Sequence, residues 1–145
     1  MTFMAGMLMV MLGGGLGAIL RYGSQEAGKR WTNLPGWTSI FAVNIIGSFA
    51  IAFSFGWLQA LKLIDDQNMH LSVIQHYQDD LSTAMGMHLI VVGLCGGFTT
   101  FSTFSLDNLF LLYRRPLHLA FNITASVMLA TLAAWGGLSL GGALA

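Results

Sequence analysis

The six basic and six acidic residues of this 145-residue chain are confined to short segments separated by long uncharged intervals. The uncharged intervals are 1–20, 31–61, 81–106 and 116–145. Each has at least the roughly 20 residues that an apolar helix needs to cross a bilayer. The pattern predicts an all-α integral membrane protein with a single four-helix transmembrane domain over 1–145. The predicted spans are 4–22, 38–62, 84–112 and 117–141.

Composition excludes several other classes of protein. Only 8% of the residues are charged, against about 25% in a soluble domain. The net charge is zero, so the basic surface of a nucleic-acid-binding protein is missing and no nucleic-acid partner is expected. The single cysteine, Cys95, has no partner for an internal disulfide, and the sequence contains no zinc-ligand pattern.

The connections between the predicted spans are short and polar. Segment 23–36 is interpreted as an interfacial stretch, because Trp31 and Trp37 suit the membrane–water boundary. Segment 64–80 is the longest polar region. The turn at 114–116 ends in Pro116, a residue suited to the first turn of a helix.

Loop charges predict an orientation. One side of the membrane carries four basic residues and a fifth at its margin, whereas the other carries Lys62 alone. The first group consists of Lys29, Arg30, Arg114 and Arg115, with Arg21 at the margin. The positive-inside rule places these loops in the cytoplasm.

The third span is unusual because its centre is polar. It contains a double glycine at 96–97 and five Ser or Thr residues among the seven positions 99–105. Such a segment makes a poor continuous helix, so we predict a break near Gly96–Thr100. A break within a membrane is tolerated where the freed backbone groups face protein, ions or water.

Within this segment, Phe98, Phe101 and Phe104 recur every three residues, beside similar stripes of Ser and Thr. Residues three apart share a face of a helix, which predicts an aromatic stripe next to hydroxyl groups. The alternative is ordinary packing, with each hydroxyl bonded to a carbonyl of its own helix.

Polar and small residues also mark the other spans. Asn44 must bond to a neighbouring helix or line a pore, two roles that its position alone does not separate. Asn122 and Ser126 are four residues apart and share a face of the fourth span. Gly13 and Gly17 form a small-xxx-small pair that favours close helix packing.

Arg21 is open to three interpretations. It snorkels to the interface, holds an anion, or neutralises a helix C-terminus.

Two rival functions are compatible with four short spans. A small proton-coupled multidrug-type exporter needs a titratable group within a span, yet Asp107 lies near a span end. A structural subunit leaves the clustered hydroxyls unexplained. No nucleophile, base and acid can be named together, so an enzyme is not expected.

Three motifs together resemble the CrcB/Fluc family of fluoride channels. They are GGGLGA at 13–18 followed by Arg21-Tyr22, NIIGSF at 44–49, and GGFTTFSTFS at 96–105. The resemblance covers essentially the whole chain in length and number of spans, and the third motif is the most specific.

The resemblance implies an antiparallel, dual-topology homodimer with two fluoride pores between its subunits. Phe101 and Phe104 match the phenylalanines whose ring edges face fluoride, and Asn44 matches the pore asparagine. The carbonyls of Gly96 and Thr99 match the ligands of a structural sodium ion at the dimer interface. Further implied positions are Thr100, Thr103, Asn122 and Ser126 along the pore, and Asp107 near its mouth.

We therefore predict a passive, fluoride-selective channel in the bacterial plasma (inner) membrane that exports fluoride and lowers its toxicity in the cytoplasm. The predicted partners are fluoride, membrane lipid and a second subunit. The loop bias is at odds with equal insertion in both orientations, so the partner is either the same chain or an opposite-facing paralogue.

Overall fold

A computed structural model describes residues 2–31, 35–60 and 85–144, and these residues are helical except at 35–36, 99–100 and 115. Helix α1 covers Thr2–Trp31 and α2 covers Trp37–Ala60. Helix α3 is π-helical over Met87–Cys95 and α-helical over Gly96–Phe98. Helices α4 and α5 cover Phe101–Arg114 and Pro116–Leu144.

Four segments of the described chain are helical, long enough and apolar enough to cross a membrane. They are Phe3–Trp31, Trp37–Ala60, Met87–Arg114 and Pro116–Leu144. The prediction of an all-α protein with four membrane-spanning helices is thereby confirmed. The predicted polar loop 64–80 lies outside the described residues.

The first helix is longer than its predicted span. It continues nine residues beyond Tyr22 to Trp31, so residues 23–31 are helical rather than a separate interfacial stretch. Glu26 supports this extension, since its carboxylate oxygens lie 3.8 Å from Lys29 Nζ and 3.9 Å from Arg30 Nε, one turn further along. The sequence-based prediction measured the length of the apolar run. The helix is held by backbone hydrogen bonds and continues beyond the end of that run.

A tight turn joins α4 to α5. The amide N–H of Arg115 still donates to the Leu111 carbonyl at 2.7 Å, but Arg115 has φ −151° and ψ 74°, so α4 ends there and Pro116 begins α5. The prediction that this proline opens the last helix is confirmed.

Helix α1 packs against α3 through glycines. A Cβ atom added at Gly13 would meet the Leu89 carbonyl oxygen, and one added at Gly17 would meet the Leu94 carbonyl oxygen. Gly97 of α3 lies equally close to the backbone of Gly14. The predicted small-xxx-small contact of Gly13 and Gly17 is therefore confirmed, with the two backbones in direct contact.

A second glycine contact joins α2 to α5. Cβ atoms added at Gly137 and Gly141 would meet the carbonyl oxygens of Phe49 and Phe53. In the other direction, one added at Gly56 would meet the carbonyl oxygen of Leu138. The helices thus form two close pairs, α1 with α3 and α2 with α5. The junction between α3 and α4 contacts α2.

Candidate functional site

Two extended residues separate α3 from α4 in the middle of the third apolar segment. Thr99 has φ −76° and ψ 157°, and Thr100 has φ −153° and ψ 123°. Gly96 and Gly97 lie within the last turn of α3, so the extended conformation falls on the two threonines that follow the glycines. The backbone groups of this junction need partners other than those of a helix.

Asn44 supplies two of those partners from α2. Its Nδ2 donates to the Thr100 carbonyl at 3.1 Å, and its Oδ1 accepts from the Thr100 amide N–H at 2.9 Å. The side-chain amide thus pairs with both backbone groups of one residue, as a neighbouring β-strand would. Of the two roles open to Asn44, a hydrogen bond to a neighbouring span is confirmed. Its second Nδ2 hydrogen is not used by this pair.

The Thr100 side chain caps α4. Its hydroxyl oxygen Oγ1 accepts from the amide N–H of Thr103 at 3.3 Å and lies 3.2 Å from the hydroxyl oxygens of Ser102 and Thr103. Thr100 is only 8% exposed. A threonine with extended φ and ψ and a hydroxyl bonded to the third helical amide is a typical N-cap, so Thr100 defines where α4 begins.

These bonds divert two amides from the carbonyls they would meet in a continuous helix. The Thr100 N–H donates to Asn44 instead of the Gly96 carbonyl, and the Thr103 N–H donates to the Thr100 hydroxyl instead of the Thr99 carbonyl. In contrast, the Cys95 carbonyl accepts from both the amide and the hydroxyl of Thr99, each at 3.0 Å. The Gly96 and Thr99 carbonyls are therefore left without these two helical partners.

Phe101 and Phe104 form an aromatic pair on the first turn of α4. Their ring centroids are 6.0 Å apart with 40° between the planes, and Phe101 is 79% exposed. Phe98 does not continue this stripe, because the extended residues separate it from α4. Its ring instead lies close to Gly47 of α2. The predicted stripe of three rings is therefore a pair.

The predicted hydroxyl stripes are divided by the same junction. Thr99 bonds back to its own helix, as do Ser48 to the Asn44 carbonyl at 2.8 Å and Thr131 to the Val127 carbonyl at 2.7 Å. Thr100 and Thr103 instead bond to each other. Ordinary packing, with each hydroxyl bonded to a carbonyl of its own helix, therefore holds for Thr99, Ser48 and Thr131. It does not hold for Thr100 and Thr103 at the start of α4.

Asn122 and Ser126 lie on α5, where Asn122 faces α4. Asn122 is 2% exposed, and its Nδ2 donates to Asn108 Oδ1 on α4 at 2.7 Å. Asn122 Oδ1 and Ser126 Oγ are buried and make no hydrogen bond within the described residues. The predicted shared face of Asn122 and Ser126 thus carries two buried polar atoms that have no hydrogen-bond partner among the described residues.

The two charged residues singled out from the sequence lie apart from the junction. Asp107 lines an open cleft of about 550 Å³ together with Trp37, Arg114 and Arg115. Arg21 is half-buried within α1, ten residues before the helix ends. The hypothesis that Arg21 neutralises the C-terminus of that helix is therefore wrong, since α1 ends at Trp31.

Two features were missed from the sequence. Asn108 was not singled out, although it follows Asp107 in a span where any amide needs a partner. Gly137 and Gly141 repeat the small-xxx-small spacing of Gly13 and Gly17, and that spacing was a usable signal for the α2–α5 contact.

Comparison with known proteins places the chain in a family. Residues 8–138 match the model of the family described as CrcB-like protein, Camphor Resistance (CrcB). The chain is also similar to proteins named fluoride-specific ion channel FluC. The Flavobacterium psychrophilum protein is 35% identical over 130 residues, covering 89% of this chain and 90% of the relative. The Francisella tularensis (strain FSC 198) protein is 36% identical over 129 residues, with 88% and 87% covered.

A third FluC relative, from Agrobacterium fabrum, is 34% identical over 142 residues and covers 95% of this chain and 97% of its own. The family match begins within α1 at residue 8 and ends within α5 at residue 138, and so includes the Thr99–Thr100 junction and its Asn44 partner. The chain belongs to the CrcB family.

Proposed function

We propose that this chain is a fluoride-selective channel that exports fluoride passively across the bacterial inner membrane as a multi-pass protein. The observation that carries the proposal is the uncharged junction at Thr99–Thr100, with the Phe101–Phe104 pair on the helix that begins there. The relatives named as fluoride-specific ion channels support the choice of ion. The chain is not an enzyme, and a proton-coupled exporter is not favoured.

The electrostatics of the junction suit an anion. The N-terminus of α4 carries the positive end of its helix dipole, and this end lies at Phe101. Ring edges are the positive part of the aromatic quadrupole, so Phe101 and Phe104 can approach fluoride edge-on. Neutral N–H and O–H donors replace the water around a strongly hydrated ion without holding it as a fixed positive charge would.

The pore residues follow from this arrangement. Asn44 contributes its second Nδ2 hydrogen, while Thr100 and Thr103 contribute hydroxyls beside the two phenylalanines. Asn122 and Ser126 continue the polar path along α5. Arg21 and Asp107 belong to the entrances, where Asp107 shares its cleft with two arginines.

The functional unit is an antiparallel homodimer in this proposal, with the interrupted third spans of the two subunits facing each other. The exposure of Phe101 supports it, since a ring lining a pore needs a second wall. A Cβ added at Gly96 would meet no atom of the described residues within 4 Å, so this part of the chain leaves the backbone there open to a neighbour. The loop charge bias leaves an opposite-facing paralogue as the other possible partner.

A structural sodium ion between the subunits fits the donor set of the junction. Hard cations bind oxygen ligands such as backbone carbonyls, and the Gly96 and Thr99 carbonyls both lack the amide partners of a continuous helix. When bound, the ion would supply positive potential close to the anion path. The chain's own part is to keep these two carbonyls free of helical amide partners, through the bonds that Asn44 and Thr100 make to the diverted amides.

Fluoride efflux from proteoliposomes, measured electrically without a proton gradient, tests the function. We expect fluoride flux and no comparable chloride flux. No flux, or flux that requires a proton gradient, would refute the channel. The double variant Phe101→Ile/Phe104→Ile should lose conduction while keeping its oligomeric state. A matched control is Phe49→Ile/Phe53→Ile, which alters another aromatic pair, with centroids 6.1 Å apart on α2, and should keep conducting.

A further inference from the structure

The amide of Asn122 has a defined orientation. Its Nδ2 donates to Asn108 Oδ1 at 2.7 Å, so Oδ1 points to the other side of the amide. Asn122 Oδ1 and Ser126 Oγ, which stand one helical turn apart on the same face of α5, are both buried without a hydrogen-bond partner in the described chain. Asn122 itself is 98% buried, and leaving a polar atom unpaired at such a position is unfavourable.

The chemistry of these two atoms identifies what they bind. An amide oxygen only accepts hydrogen bonds, so Asn122 Oδ1 repels an anion and attracts a donor. A serine hydroxyl both donates and accepts. A water molecule matches the pair, because it donates to Asn122 Oδ1, accepts from Ser126 Oγ–H and keeps one hydrogen. Bare fluoride matches only the serine.

We infer that Asn108 is a positioning residue that orients the Asn122 amide, so that Asn122 and Ser126 bind a water molecule and fluoride is contacted through that water. The inference rests on the proposed channel function for its second half. The remaining water hydrogen is the donor to fluoride. Fluoride is thus partly hydrated beside α5, in contrast to its direct approach to ring edges at Phe101 and Phe104.

Removing the acceptor at position 108 reverses the polarity of the site. In Asn108→Leu, which has a similar volume, Asn122 Nδ2 loses its partner and the amide turns to present Nδ2 beside Ser126. The site then donates directly to fluoride and holds it more tightly. In Asn108→Asp, a carboxylate oxygen still accepts from Nδ2, so the orientation is kept.

The test measures fluoride flux against fluoride concentration in proteoliposomes. Asn108→Leu should lower the half-saturating concentration about tenfold and also lower the maximal rate, as expected for a direct bond to a charged ligand. Asn108→Asp should not lower the half-saturating concentration. Thr131→Val, which alters a hydroxyl bonded to its own helix on α5, is the control and should match the unsubstituted protein.

A merely structural role for Asn108 predicts a different result, namely a lower maximal rate with no fall in the half-saturating concentration. That result, or the same shift in both Asn108 variants, would overturn the inference. Should Asn108→Leu fail to assemble, judged by gel filtration, Asn108→Ala removes the same acceptor with a smaller side chain.

Nuclear magnetic resonance separates this inference from the proposed function. In protein labelled with ¹⁵N-asparagine in bilayers, the Asn122 Nδ2 resonance should lose its hydrogen-bonded shift in Asn108→Leu and should keep a hydrogen-bonded shift, strengthened by the carboxylate, in Asn108→Asp. Absence of fluoride flux in the unsubstituted protein would refute the channel and leave this orientation test intact. An unmoved resonance in Asn108→Leu would refute the orientation whatever the flux.

Discussion

Replacing Asn44 by leucine tests whether one side chain holds the third span in its interrupted form. The substitution keeps a similar volume and removes both hydrogen bonds to the Thr100 backbone, at 3.1 and 2.9 Å. Thr100 is 8% exposed, so water does not readily replace them. An unpaired buried polar group costs about 1–3 kcal/mol, and two are left, so unfolding free energy should fall by about 2–6 kcal/mol.

The measurement is equilibrium unfolding in mixed detergent micelles, followed by the fluorescence of the four tryptophans. Ser54→Ala is the matched control on the same helix. Its hydroxyl bonds to the Ala50 carbonyl at 2.8 Å, and losing it should change the unfolding free energy by less than about 0.5 kcal/mol.

Flux gives a second readout for the same variant. Without Asn44, no side chain holds the Thr100 backbone in the junction, so Asn44→Leu should also lose conduction. A variant as stable as Ser54→Ala would refute the argument from the Thr100 bonds. Normal stability with lost flux would assign Asn44 to the pore alone.

Three further predictions concern other parts of the molecule. Gly13→Ala should lower the unfolding free energy by about 1–3 kcal/mol, because its Cβ meets the α3 backbone, whereas Gly15→Ala, in open space, should cause no loss; equal melting temperatures would contradict this. Replacing sodium by a bulky organic cation on both sides of the bilayer should reduce fluoride flux through the unsubstituted protein; unchanged flux would remove the sodium proposal. Glu26→Gln should change stability by less than about 0.5 kcal/mol, since its ion pairs are exposed, and a loss of α1 helicity by circular dichroism would show otherwise.

The four spans were predictable because charge is costly inside a bilayer and therefore marks its limits. The ends of the helices were less predictable than the spans. The rule that located the first span near 4–22 measures apolar length, and α1 continues to Trp31 outside the apolar layer, where Glu26 pairs with basic residues. The start of α5 was predictable because Pro116 acts through its own ring.

The partners within the site were not predictable from one sequence. Asn44 lies in a position where an amide needs a partner, but Thr100 is 56 residues away and meets it only through tertiary packing. The same applies to Asn108 and Asn122, which the turn at Pro116 brings face to face. The predicted stripe of three phenylalanines assumed one continuous helix from Phe98 to Phe104. The backbone is not helical at Thr99 and Thr100, so Phe98 does not share a face with the other two rings.

The pairing of Asn44 with Thr100 has a consequence for biosynthesis. Helix α2 leaves the ribosome before the third span, so at first the Asn44 amide has no Thr100 backbone to bind. An unpaired Asn44 amide in lipid is unfavourable, and so is an extended Thr100 backbone without hydrogen-bond partners. The two hydrogen bonds between them satisfy both groups at once. The second and third spans should therefore enter the bilayer together, or Asn44 should stay in contact with water until Thr100 arrives.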